Sequence, residues 1–83
     1  MKSIQYNKKR IASVNKQIGM KVRAIRENRG ILQCELAQQV GVLGPQIHKY
    51  ETGAQRISSG MLYAIGQAMN VETSAFMPTA NAE

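Results

Sequence analysis

Residues 33–51 read QCELAQQVGVLGPQIHKYE, and the spacing within this stretch decides the fold. Leu32, Leu36, Ala37 and Val40 recur at helical intervals, so a helix over about residues 32–40 has one apolar face, with Gln33, Cys34, Gln38 and Gln39 on the other. Gly41 falls where the chain must leave that helix, and a residue free to take positive φ is the common way out. Pro45 fits only in a first helical turn, where its missing N–H costs nothing, so a second helix is expected to begin at about Gly44. Ile47 and Tyr50 anchor one edge of it, and Gly44, Pro45, Gln46, His48 and Lys49 are left facing elsewhere. Gly53 terminates it after Glu51 or Thr52. The small Ala37, the bend at Gly41 and the β-branched Ile47 are what two helices crossing at a tight turn require.

Outward from this pair, helix one is expected from Asn15 or Lys16 to Asn28, burying Ile18, Val22 and Ile25 and ended by Gly30. After the loop GAQRIS, Ser58 or Ser59 can cap a fourth helix through Met69, with Leu62, Ile65 and Met69 inward and Asn70 as a left-handed terminator. Thr73 is expected to cap a short fifth helix through Phe76. The expected organisation is an all-α, five-helix domain over residues 15–77, with a basic N-terminal arm at 1–14 that could hold one helical turn, and a frayed tail at 78–83. Val71, Phe76 and Met77 can form a contact between copies or close the monomer's own core.

Four blocks in order, IGMKVRAIRENRG (18–30), LQCELAQQVGV (32–42), QIHKYETG (46–53) and LYAIGQAMNV (62–71), resemble the Xre- and Cro-like, phage-repressor type of helix-turn-helix protein. The resemblance spans residues 18–76 and implies a compact lambda-repressor-like domain that reads double-stranded DNA. It further implies that Gln33, at the start of helix two, holds a phosphate with the help of free N–H groups. Arg26 and Glu51 would form a partly buried, structural ion pair joining helices one and three. The sequence departs from the pattern at Leu32 and Leu43, where the family carries a capping Ser or Thr. Each missing cap costs about 1 kcal/mol, so the second helix of the motif is expected to be ordered partly by DNA.

On that helix Gln46 and Lys49 lie three apart, and both residue types read base edges: Gln pairs with adenine and Lys with the acceptors of guanine. Gly44 and Pro45 occupy positions where the family often carries reading side chains, but glycine offers none and proline only apolar contact, as with a thymine methyl. His48 is placed for phosphate or solvent, and Arg56 in the following loop is a further phosphate candidate. Lys8, Lys9 and Arg10 could enter a groove as an arm does, or simply solubilise the chain.

The net charge is +6, unevenly placed. Lys2, Lys8, Lys9, Arg10, Lys16, Lys21, Arg23, Arg26 and Arg29 against Glu27 give the first 29 residues +8, and the remainder carries −2. Such asymmetry suits a polyanion and makes binding strongly salt-dependent. With one cysteine, Cys34, there is no intramolecular disulfide, and the absence of a Cys/His cluster excludes a metal site. No nucleophile, paired-carboxylate or phosphate-loop arrangement supports catalysis, so neither enzyme nor cofactor is expected. Met20, Met61, Met69 and Met77 fit core and interface gaps rather than a cofactor box. No apolar run reaches eight residues, which implies no membrane span or export and a cytoplasmic, prokaryotic or phage setting, nucleoid-associated when bound.

The expected function is a sequence-specific transcriptional regulator, most simply a repressor binding an inverted-repeat operator as a homodimer. A protein-interaction adaptor or antitoxin-like module, partnered for example by a toxin and binding DNA weakly, is the alternative from another class. A nonspecific nucleic-acid binder is the third, and the few aromatics, Tyr6, Tyr50, Tyr63 and Phe76, argue against its stacking on single strands.

Overall fold

The computed structural model describes residues 7–78, which form four α-helices and one terminal 3-10 turn: α1, Lys8–Asn28; α2, Gln33–Val40; α3, Gly44–Thr52; α4, Ser59–Met69; and the turn Thr73–Phe76. Three of the helix exits use left-handed residues at the expected places, Gly41 (φ 83°), Gly53 (φ 80°) and Asn70 (φ 60°). Ser58 caps α4, its hydroxyl accepting from the Met61 N–H at 3.1 Å.

The core is Val22 from α1, Leu36 and Ala37 from α2, Ile47 and Tyr50 from α3, Leu62, Ile65 and Met69 from α4, and Phe76 from the final turn. Ile18 and Ile25 pack against it from a half-buried position. Helix α1 crosses the C-terminal end of α3 at a point where Gly19 faces the backbone carbonyls of Tyr50 and Glu51. Nearer its start, Lys16 lies against Gly53.

Several expectations are corrected. Helix one begins at Lys8, not at Asn15 or Lys16, because Asn7 accepts from the Arg10 N–H at 3.0 Å and supplies an N-cap. Lys8, Lys9 and Arg10 are therefore helical, in the first turns of α1, rather than part of an irregular arm; residues 1–6 lie outside the described residues, as do 79–83 of the expected tail. The fifth helix is a single 3-10 turn, because four residues cannot close an α-helical ladder, and Thr73 is not its cap: Glu72 holds that position without a side-chain bond. Phe76 is fully buried, so it closes the monomer's core and is not available for contact between copies, whereas Met77 is exposed. Leu32 is not part of the apolar face of α2; it stands at the N-cap, 61% exposed. Met20 is likewise exposed, and of the four methionines assigned to gaps only Met69 is fully buried.

The missing caps are met differently at the two helices. At α2, Glu35 Oε1 accepts from the Leu32 N–H at 2.8 Å, which is the reciprocal half of a capping box without the hydroxyl half. At α3, Leu43 makes no side-chain cap bond. That helix runs from Gly44 to Thr52 and is anchored by the burial of Ile47, Tyr50 and Glu51.

Candidate nucleic-acid interface

Helix α3 stands as a ridge between two clefts. One cleft is lined by Arg23, Arg26, Leu32, Gln33, Cys34, Gly44, Pro45 and His48. The other is lined by Val42, Leu43, Pro45, Gln46, Lys49 and Tyr50. Pro45 borders both, and the sequence-derived candidates are sorted by side: His48 and Gln33 line the first cleft, while Gln46 and Lys49 line the second.

The ridge is fixed from beneath by the Arg26–Glu51 pair. Arg26 Nε donates to Glu51 Oε2 at 2.6 Å and Nη2 donates to Oε1 at 3.1 Å, a two-point contact between α1 and α3. Its remaining nitrogen, Nη1, donates to the Ile31 carbonyl at 2.7 Å, tying the loop between α1 and α2 to the same centre. Donation to the Glu51 carboxylate raises the Arg26 pKa above its ordinary value, opposed by burial, so the guanidinium stays charged.

Gln33 joins this centre. Its Nε2 donates to Glu51 Oε1 at 2.9 Å, which orients the amide at the cleft edge and leaves the second amide hydrogen unspent. The first backbone N–H groups of α2 also lie at that edge without intrahelical partners. Arg23, which was not singled out from the sequence, lines the same cleft as Gln33 and His48. Its place one turn before Arg26 was the available signal. Its side chain is exposed and pairs with Glu27 at 3.1 Å, an i,i+4 contact that a stronger anion could replace.

Arg56 is exposed in the loop after α3, and Lys8, Lys9 and Arg10 are exposed on the first turns of α1. Neither group lines the two clefts. From Lys16, which abuts Gly53, the helix continues roughly 12 Å toward Lys8, so the basic triad stands beyond the C-terminal end of α3. Cys34 is a free, exposed thiol. Among the described residues no group of three His, Cys, Asp or Glu side chains is placed to hold a metal ion, and no helix is long and apolar enough to cross a membrane.

Two short helices joined at the left-handed Gly41, the second tied to α1 by a buried ion pair and carrying polar and basic groups on both flanks, make up a helix-turn-helix unit. The family model described as Helix-turn-helix matches residues 22–76, and the chain belongs to that family, in the Xre- and Cro-like class that its motifs resemble. It is 36% identical over 64 residues, 77% of the chain, to an uncharacterised HTH-type transcriptional regulator of Sinorhizobium fredii, of which the match covers 45%. It is 39% identical over 66 residues, 80% of the chain, to an uncharacterised transcriptional regulator in the ATPase CF(0) region of Rhodospirillum rubrum, 61% of which is covered. The chain thus spans about half the length of the first of these relatives. Both relatives are named as transcriptional regulators. Among solved structures it is similar to the P22 c2 repressor protein in complex with a synthetic operator, with a TM-score of 0.67, 25% identity and coverage of 72% of this chain and 91% of that one.

Proposed function

We propose that this chain is a sequence-specific regulator of transcription that represses by occupying an inverted-repeat operator in double-stranded DNA as a homodimer. The observation that carries the reading is the ridge itself: α3 presents Gln46 and Lys49 on one flank, and on the other His48 lines a cleft shared with Gln33, Arg23 and the start of α2. Helix α3 lies in the major groove, where Gln46 and Lys49 meet base edges. Gln33, His48 and Arg23 hold phosphates on one side of it and Arg56 a phosphate beyond its end. Gly44 adds no side chain and lets the helix approach closely. The P22 c2 repressor, bound to its operator in the structure to which this chain is similar, supports the assignment. Two copies would meet half-sites about 34–36 Å apart, in a prokaryotic cytoplasm and with no cofactor.

Selection of bound duplexes from a randomised pool at physiological salt tests the reading, with two inverted half-sites as the expected product. Enrichment of none, despite binding, rejects it. On the selected site Lys49→Ala should lose about 1–3 kcal/mol of discrimination at one base pair; a uniform loss over all sequences would make Lys49 a phosphate ligand instead. Replacing Lys8, Lys9 and Arg10 together by Gln should flatten the salt dependence of log K by about 0.9 for each phosphate contact removed, and an unchanged slope would leave the triad without a role on DNA. Substitution is the appropriate test because truncation through residue 12 would remove the Asn7 cap and the first turn of α1.

A protein-interaction adaptor or antitoxin-like module, with a toxin as one kind of partner, is the second reading. It draws on Leu32 and Leu43, two large apolar side chains exposed at the starts of α2 and α3. A toxin-free chain that binds no operator would favour it.

A further inference from the structure

Leu43 is 79% exposed, the most exposed large hydrophobic side chain among the described residues. It stands at the N-cap of α3 in extended backbone (φ −84°, ψ 155°), where a Ser, Thr, Asn or Asp would satisfy a free N–H of the first turn and leucine cannot. An apolar residue here therefore sacrifices local stability, and burial in the chain's own core does not compensate for it. We infer that Leu43 is a specificity-determining residue that contacts the C5-methyl group of one thymine in the major groove, a reading that rests on the operator function proposed above.

Three observations converge on that occupant. The N-terminal residues of a helix lying in the major groove are those that reach base edges, and Leu43 directly precedes that end of α3. The thymine methyl is the apolar group that base pairs present in this groove, and an aliphatic side chain can recognise nothing else there. The walls of its cleft are mixed: Val42 and Pro45 extend the apolar surface, while Gln46 and Lys49 complete the rim. An apolar protein partner would have to bury Lys49 and Gln46 against itself. A base pair offers them acceptors and leaves the methyl for Leu43.

The test replaces thymine by deoxyuridine, which removes only the methyl group, at each position of the selected half-site in turn. Wild-type protein should bind one of these duplexes three- to fivefold more weakly, about the effect of one buried methyl-sized group. Leu43→Ser should bind that duplex and its thymine parent equally. The same variant should melt about 4–8 °C higher because the serine restores a cap, which separates loss of reading from loss of fold. Pro45→Ala should keep the wild-type sensitivity. Deoxyuridine sensitivity that survives in Leu43→Ser, or that vanishes in Pro45→Ala alone, moves the contact to Pro45 and overturns the assignment. A selected half-site with no deoxyuridine effect overturns it while leaving the operator function standing. A pool that yields no half-site overturns both.

Discussion

Arg26→Ala should lower the unfolding free energy by about 3–5 kcal/mol, a fall in melting temperature of more than about 12 °C for a domain of this size. The side chain lost is 8% exposed and its partner Glu51 1% exposed, so the variant strands a carboxylate in the interior. Gln33 Nε2 would remain on Oε1, but Oε2 would lose its sole donor among the described bonds. The Ile31 carbonyl would lose its bond from Nη1 as well, loosening the turn into α2. Thermal melting followed by helical circular dichroism measures the effect, and an unchanged midpoint would refute the structural role of the pair. Because the Glu51 hydrogen bond raises the Arg26 pKa, the arginine's contribution is fully present below its ordinary titration range and is lost only as pH rises through the raised value. Deprotonation of Arg26 therefore weakens nothing near neutrality. Replacing both residues by Arg26→Met and Glu51→Leu should restore much of the loss, since the cost lies in an unpaired buried charge rather than in the absence of a pair.

Gly19→Ala should destabilise by about 3 kcal/mol, at the upper end of overpacking effects. On helix propensity alone the sign would be opposite, since alanine is favoured over glycine by about 1 kcal/mol in a helix interior. The packing overrules it. A Cβ at this position would press on the Tyr50 carbonyl oxygen and lie 2.9 Å from that of Glu51, and both are backbone atoms that can give way only if α1 lifts from α3. Lifting α1 would also lengthen the Arg26–Glu51 contact, so the two substitutions should not be additive. Gly60→Ala is the matched comparison: a Cβ there meets nothing within 4 Å, and the variant should be as stable as the parent or slightly more so. Equal melting temperatures for Gly19→Ala and the parent would mean that the helices do not approach as described.

Much of the fold was legible because it is encoded by neighbours in the chain. The run from Leu36 to Val40, the glycine at 41, the proline at 45 and the pair Ile47 and Tyr50 each act within a turn or two, and α2 and α3 lie where those signals place them. Gly53, Ser58 and Asn70 end or begin helices for equally local reasons. The start of α1 is not legible in the sequence because its signal is a single cap, Asn7, followed by three basic residues and not by an apolar period. Thr73 to Phe76 has the composition of a helix start but lacks the length to close one. In the site, the flank bearing Gln46 and Lys49 follows from their spacing of three residues. The meeting of Arg23, Gln33 and His48 does not, because they come from three helices.

By itself the sequence determined α2, α3 and α4, their glycine and asparagine exits and the polar surface of α3, since backbone hydrogen bonds and apolar periodicity operate over three or four residues. The Arg26–Glu51 pairing was anticipated from family resemblance, but its bidentate form, the recruitment of Gln33 and the burial of Phe76 were decided by tertiary structure. So were the close approach at Gly19 and the exposure of Leu43. These depend on the distance between elements far apart in the chain, such as Gly19 and Glu51, 32 residues apart, and pattern along the chain carries no measure of such distances.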